Sequence, residues 1–404
     1  MLIVKKNNQA PSELKPLGLY IHVPFCRSKC QYCDFYSLGG GMNHESMDLY
    51  LSAVLAHIKE TAQRVVGYTV DSVYFGGGTP SFFGAQNLIR ILTEIDRRFH
   101  LDPNAEITFE ANPDSVTSAG LEKLRKAGFN RISIGIQTDD DSKLKALGRP
   151  HNYRQAQTAV SQARRAGFTN VSVDLMFGLP NQNREQWMAT LRNVMELKPD
   201  HISCYGLKVE PNTPLWEYKE GANLPDDDMQ ADMYFYAVET LESFGLHQYE
   251  ISNFALPGKE CRHNLKYWTG QPYIGFGPAA ASDFGGKRFT AEANLDRYIT
   301  GVLEQGIILS ECEAIPHKER AGEYLMLRLR TANGIEENEY MQTYLLPFGP
   351  LEERLRLFAQ RDLAEQTETG RWRLTPKGFM VSNSIILQLL EVQQQSKPLA
   401  KALR

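Results

Sequence analysis

Tyr20-Ile21-His22-Val23-Pro24-Phe25-Cys26-Arg27-Ser28-Lys29-Cys30-Gln31-Tyr32-Cys33-Asp34-Phe35 sets three cysteines in a C-x3-C-x2-C run. Three thiolates leave one iron of a four-iron cubane without a protein ligand, open to something that reacts. Clusters that only carry electrons usually take four cysteines. Zinc runs instead pair C-x2-4-C with a second pair or with histidines downstream. The competing reading is three buried or zinc-bound cysteines in a loop. The other cysteines, Cys204, Cys261 and Cys312, are scattered, and six in 404 residues are too few for a disulfide scaffold.

Outward from this run, strand-like and helix-like segments alternate. Apolar runs predict strands over 17–23, 70–75, 106–109, 131–136, 170–176 and 201–206. Helical spacing of Met47, Leu51, Val54, Leu55 and Ile58 predicts a helix over 45–66, and further helices are expected over 84–98, 115–127, 152–166, 184–197 and 227–244. Six βα units in succession imply an α/β chain whose parallel sheet is backed by helices and curls into a full or partial barrel. Sites then gather at the C-terminal ends of the strands. Unusual residues fall at those ends: the cysteines, Gly76-Gly77-Gly78-Thr79-Pro80, Glu110-Ala111-Asn112-Pro113, Gln137, and Asp174 with Gly178-Leu179-Pro180. Five clusters at one end of successive strands describe one rim around one site.

The expected organisation is an N-terminal extension over 1–16, a barrel over 17–250 and a barrel-covering segment over 251–310. A small winged-helix-like α+β domain over 311–392 and a tail over 393–404 complete it. In the small domain a helix is expected to begin at Tyr324, another spans 350–362, Arg371–Leu374 reads as part of a hairpin, and a last helix covers 376–392. A winged helix often binds nucleic acid, but a net charge of −4 gives no general pull toward it, nor toward an anionic membrane. No apolar run is long enough to span a bilayer, and 1–8 lack a signal-peptide core, so a cytoplasmic protein is expected.

Gly76–Gly78 offer backbone N–H groups with no Cβ in the way, so a ligand can approach closely, although three glycines alone are as readily a turn. His263-Asn264-Leu265-Lys266-Tyr267-Trp268 sets a histidine among aromatics. Histidine can ligate haem iron and aromatics can flank a macrocycle; a hydrogen-bonded histidine in an aromatic core is the alternative.

The cysteine run resembles that of the radical S-adenosylmethionine (SAM) superfamily. That resemblance implies a [4Fe-4S] cluster on Cys26, Cys30 and Cys33, whose open iron chelates the amino and carboxylate groups of SAM. The segment 20–35, Gly76–Pro80, Gln137 with Leu147-Gly148-Arg149, Asp174–Pro180 and Leu374-Thr375-Pro376-Lys377-Gly378 together resemble the family of oxygen-independent coproporphyrinogen III oxidase, over about 17–390. The H-N-x-x-Y-W run over 263–268, and Phe35 where the decarboxylase carries a further cysteine, point to its HemW-type haem-chaperone branch. The decarboxylase also has a longer region before the cysteines. The resemblance implies a radical SAM partial (β/α)6 barrel and SAM contacts from Tyr20, Gly77, Gly78, Thr79, Glu110, Gln137, Arg149 and Asp174. It implies haem as a further cofactor, with His263 its candidate ligand. The implied partners are haem and apo-haemoproteins such as those of the respiratory chain, with any membrane contact running through them. On sequence alone each polar residue in this set could equally be solvated surface charge. Thr138-Asp139-Asp140-Asp141 departs from the family's usual Ser-Phe after the glutamine, and Gly277-Pro278-Ala279-Ala280-Ala281-Ser282 stands where relatives carry a glycine-rich stretch with a histidine.

The expected function is haem chaperoning with delivery to apo-haemoproteins. The alternative is a radical SAM enzyme acting on a tetrapyrrole, by decarboxylating coproporphyrinogen III or opening the haem ring. A third possibility, a zinc or cluster protein with a nucleic-acid-binding tail, needs a basic C-terminal face. The sequence leaves the oligomeric state open.

Overall fold

The six parallel strands alternate apolar and polar side chains, and that alternation shapes the molecule. We describe a computed structural model in which residues 14–40 and 44–399 are placed. Most of the N-terminal extension and the end of the tail lie outside the described residues. The strands are β1 (Lys15–Val23), β2 (Tyr68–Gly77), β3 (Leu101–Ala111), β4 (Arg131–Gln137), β5 (Val171–Phe177) and β6 (His201–Gly206). They lie side by side in sequence order, each parallel to the next. Each is followed by a helix: α1 (His44–Ala62), α2 (Ala85–Arg98), α3 (Ser118–Lys126), α4 (Tyr153–Arg165), α5 (Arg184–Met195) and α6 (Asp227–Ser243). The six expected units are therefore present, with ends shifted by a few residues. Short helices at Asp141–Ala146 and Pro214–Glu217 lie inside connections that the sequence reading left open.

Leu17, Leu19, Ile21 and Val23 on β1, with Ile132, Ile134 and Ile136 on β4, belong to the same buried apolar cluster as Val54 and Ile58 of α1. Such side chains each contribute about 1.5–3 kcal/mol by leaving water. The alternate residues, among them Tyr74, Glu110, Arg131, Ser133, Asp174 and Ser203, line the lumen. Parallel strands are usually apolar on both faces, and a closed eight-stranded barrel fills its centre with branched apolar residues. Here the lumen is polar, so it can receive a polar ligand. Local signals start the helices: Asn152 with Gln155 and Asn183 with Gln186 form capping boxes at α4 and α5.

The segment expected to cover the barrel does more than cover. It contains β8 (Asn253–Ala255), which with β7 (His247–Glu250) extends the sheet beyond β6. At the other edge β9 (Tyr273–Phe276) pairs with β1, followed outward by β10 (Ala281–Phe284), β11 (Lys287–Ala291) and β12 (Leu309–Ala314). The result is one twelve-stranded mixed sheet. Between these additions α7 (Arg262–Thr269) lies under the N-terminal ends of the first strands. Glu106 of β3 accepts from the Arg262 and His263 backbone N–H groups at 3.0 and 3.1 Å, and buried Lys266 pairs with Asp71 of β2 at 2.7 Å. A Cβ on Gly18 of β1 would meet Lys266 at 2.8 Å. The cover thus closes the barrel from beneath. Helix α8 (Leu295–Gln305) packs on α1.

Residues beyond 314 form α9 (His317–Arg328), α10 (Glu337–Tyr344), α11 (Gly349–Ala359), the antiparallel pair β13 (Ala364–Gln366) and β14 (Trp372–Leu374), and helices α12 (Pro376–Met380) and α13 (Ser382–Gln395). The helix expected from Tyr324 starts seven residues earlier. The last expected helix is broken at Val381, whose φ of −111° and ψ of 20° leave the helical region. This unit shares the barrel's apolar cluster through Ala321, Leu325 and Phe358. Arg320 grips Asp283 with two hydrogen bonds of 2.5 and 2.8 Å. Among the described residues no helix is long and apolar enough to cross a membrane.

Candidate functional site

A cavity of about 390 Å³ opens at the C-terminal ends of the strands and runs down the lumen. Its walls carry Cys26, Cys30, Cys33, Gly77, Gly78, Thr79, Glu110, Gln137, Arg149 and Asp174, so ten of the twelve expected site residues meet there.

The cysteine loop is held from two sides. Gly78 and Thr79 donate backbone N–H bonds of 2.8 Å to the Val23 and Phe25 carbonyls. A Cβ on Gly78 would lie 2.8 Å from the Phe25 carbonyl oxygen, and one on Gly77, at φ +109°, would meet the His22 ring at 2.7 Å. The glycines therefore let the end of β2 pass against the start of the cysteine loop. Their packing role is visible here beside the ligand-cradling one read from sequence. Arg149 donates to Cys30 Sγ at 3.5 Å, to Asn112 Oδ1 at 2.6 Å and to the Gly135 carbonyl at 2.8 Å, while its buried Nε lacks a partner. Thr79 Oγ1 lies 3.3 Å from Cys26 Sγ.

Burial pushes the Cys26 and Cys33 thiols up, and loading a metal cluster would draw their protons off. Among the described residues no three His, Cys, Asp or Glu side chains converge on a point that would hold a single ion. A cubane bonds its thiolates at separate irons and needs no such point. Three cysteines facing one cavity beside a guanidinium fit that donor set.

Deeper in the lumen Glu110 accepts from Tyr74 Oη at 2.8 Å. Burial and the neighbouring Asp174 push its carboxyl up to about 7. Asp174 accepts from Ser133 Oγ at 3.0 Å, and burial raises it too. Two such carboxylates suit a cationic ligand that also carries hydroxyls. Gln137 ends β4 at φ +70°, an uncommon conformation for a residue with a side chain. Strain of this kind often gathers at functional sites.

Tyr20 and His263 lie outside this wall. Tyr20 pairs in register with Tyr74 and stacks on it at 6.3 Å, its hydroxyl 3.1 Å from His22 Nδ1. His263 is fully buried beneath the lumen. Its Nδ1 lies 2.9 Å from Ser72 Oγ and its Nε2 2.9 Å from Tyr267 Oη, and its ring stacks on Tyr74 at 5.3 Å. Burial lowers its pKa to about 3. Both ring nitrogens of His263 are thus engaged within the core. Its neighbour Asn264 does line the cavity.

The acidic stretch after Gln137 has local work. Asp139 accepts from Thr190 and Asn193, Asp140 caps the helix Asp141–Ala146, and Asp141 accepts from the Tyr153 backbone N–H. Sequence reasoning missed Arg131, Ser133, Ser203 and Tyr205 on the lumen wall. The signal was present: R-x-S-x-G-x-Q, S-x-D-x-M and H-x-S-x-Y place polar residues at alternate positions of three strands, with Gly135 and Met176 the exceptions.

This cavity and this barrel define a radical SAM protein, and the family model of the Radical SAM superfamily matches residues 20–194. The chain is 33% identical to the Heme chaperone HemW of Bacillus subtilis over 372 residues, 91% of this chain and 97% of that one. Against the protein of that name from Escherichia coli it is 35% identical over 379 residues, 93% and 98% of the two chains. Against that of Synechocystis it is 36% identical over 407 residues, 95% and 98%. The solved structure of coproporphyrinogen III oxidase (HemN) from Escherichia coli, described as a radical SAM enzyme, superposes with a TM-score of 0.82 at 25% identity, covering 94% of this chain and 91% of that one. The chain belongs to the HemW family.

Proposed function

We propose that this protein is a haem chaperone that holds a [4Fe-4S] cluster and SAM in the barrel and passes haem to apo-haemoproteins. The observation that carries this reading is the identity of 33–36% over nine-tenths or more of the chain with relatives named as haem chaperones. Cys26, Cys30 and Cys33 would hold the cluster, with the Arg149 guanidinium 3.5 Å from Cys30 Sγ. Gly77, Gly78 and Thr79 would border the amino acid end of SAM. Glu110, Gln137 and Asp174 would accept from its ammonium and ribose hydroxyls. When bound, such a cluster supplies one-electron reduction of the sulfonium. The residues themselves bind, orient and neutralise charge.

A second reading, a tetrapyrrole-converting enzyme, is favoured by the close superposition on coproporphyrinogen III oxidase. Against it stands Phe35, 66% exposed at the cavity mouth, where the decarboxylase carries a cysteine.

The deciding experiment uses the anaerobically reconstituted protein with reductant, SAM and either haem or coproporphyrinogen III. Stoichiometric haem binding without a tetrapyrrole product is expected. Protoporphyrinogen or ring-opened haem would overturn the chaperone reading.

A further inference from the structure

The lumen contains a positive charge that neither the cysteine rim nor the relatives' names explain. Arg131, the first residue of β4, is 2% exposed yet lines the cavity. Its Nε is buried without a hydrogen-bond partner. A buried guanidinium left in this state is costly unless opposite charge surrounds it. Register shows what surrounds it. Arg131 pairs with Thr108, midway between Glu106 and Glu110 on β3, while Ser133, one pleat further along, pairs with Glu110. Ser133 is also the residue that donates to Asp174. Glu106 is already engaged by the start of α7. The lumen therefore has Arg131 at mid-height, with two carboxylates, Glu110 and Asp174, above it and Arg149 near the rim.

We propose that Arg131 is the counter-charge of the lumen, a positioning residue that limits protonation of Glu110 and Asp174 so that they can receive a cationic ligand. The idea rests on the SAM-binding reading above. Two buried carboxylates facing one lumen from β3 and β5 would otherwise retain protons, because each disfavours ionisation of the other and burial disfavours both. A ligand bearing a sulfonium and an ammonium would then have to expel those protons to bind. Other groups facing the pair are Tyr20, Tyr74, Tyr267 and the Gly77 backbone N–H at Glu110, Ser133, Ser203, Cys204 and Arg149 at Asp174, and Tyr205 at both. Arg149 is hydrogen-bonded to Cys30, Asn112 and Gly135, whereas the charge of Arg131 also faces Cys261, Glu106, Tyr74 and Tyr249. Arg131 opposes protonation of both carboxylates.

The test is calorimetric titration of SAM into the reconstituted holoprotein from pH 6 to 8.5, each point in two buffers of different ionisation enthalpy. In the wild type, affinity should rise through about pH 7, the range to which Glu110 is pushed. Proton release at pH 6.5 should fall in Glu110→Gln by the share that Glu110 supplies. In Arg131→Gln the midpoint should move up by about one pH unit, a loss of about tenfold at pH 6.5. At pH 8.5 the variant should bind as tightly as wild type or more so, because a repulsive cation is gone. Arg131→Lys should restore the profile. Affinity lost equally at every pH would make Arg131 a purely structural partner of Glu106 and overturn the proposal. If Arg131→Gln does not fold, Glu106→Gln/Arg131→Gln removes both charges together and should show the same upward shift; wild-type proton release unaltered by Glu110→Gln overturns the idea without either variant. A wild type that does not bind SAM at any pH would sink the SAM-binding reading itself, an outcome distinct from an unshifted midpoint.

Discussion

Cys30 is the most buried of the three loop cysteines and the one touched by Arg149. Cys30→Ala should abolish the brown absorbance of a reconstituted cluster, and a variant that retains the full spectrum would remove Cys30 from the ligand set. His263 calls for a different outcome. Truncation to alanine strands the Ser72 hydroxyl and the Tyr267 phenol and opens a hole beneath the lumen, so His263→Ala should lower stability by roughly 1–3 kcal/mol in urea unfolding. Haem stoichiometry should persist in the folded variant. Loss of haem at unchanged stability would return His263 to the iron. The difference between the two residues was not equally legible. Three cysteines at close spacing declare a shared ligand because the loop is short. A histidine among aromatics reads alike as ligand or core, and only its two hydrogen bonds separate the readings.

At the scale of single elements, the strand ends and the helix starts carry the most information. Asn152 accepts from the Gln155 backbone N–H while Gln155 reaches back, a reciprocal cap that a glance at N-x-x-Q suggests. Asn152→Ala should cost about 1 kcal/mol, read as a lower denaturation midpoint at unchanged slope. Gly78→Ala should act on the site instead. Its new Cβ would press on the Phe25 carbonyl and displace the cysteine loop, so cluster retention should fall more than global stability. Equal losses of both would count against that local effect. The strands and helices of the barrel were legible because their periods differ, and α7 as a floor was not. Its seat depends on Glu106 and Asp71, each far from it along the chain.

For the whole molecule, burial makes the stability depend on pH. His57 and His151 are held down to about 4 and His263 to about 3, so the unfolded chain takes up their protons first. Stability from these groups is complete above the ordinary histidine value of about 6.5 and is lost as pH falls toward 4 and 3. Glu110 and Glu250, raised to about 7, act oppositely: their contribution is complete below about 4.5 and fades as pH rises to 7. The apoprotein should therefore lose stability most steeply below about pH 4.5, where only the histidine trend remains. Thermal melts across pH 3.5–8 would check this, and a flat profile below pH 5 would contradict it. Truncation after residue 310 should leave an insoluble or protease-sensitive barrel, since Ala321, Leu325 and Phe358 share its apolar cluster and Arg320 grips Asp283; a soluble, resistant fragment would show that the two parts are independent.

By itself the sequence determined the alternation of six strands and helices, the cysteine run and the rim of polar residues at the strand ends, because periodicity and close spacing are local properties. It also held, unread, the every-second-residue polarity that makes the lumen wet. Tertiary structure decided the rest. It kept Tyr20 and His263 out of the cavity wall, divided 251–310 between two sheet edges and a floor, and set Arg131 opposite Thr108, below Glu110 and Asp174 of the two neighbouring strands. Those outcomes depend on register and on contacts between residues more than a hundred positions apart, such as Ser72 with His263, and no local pattern encodes them.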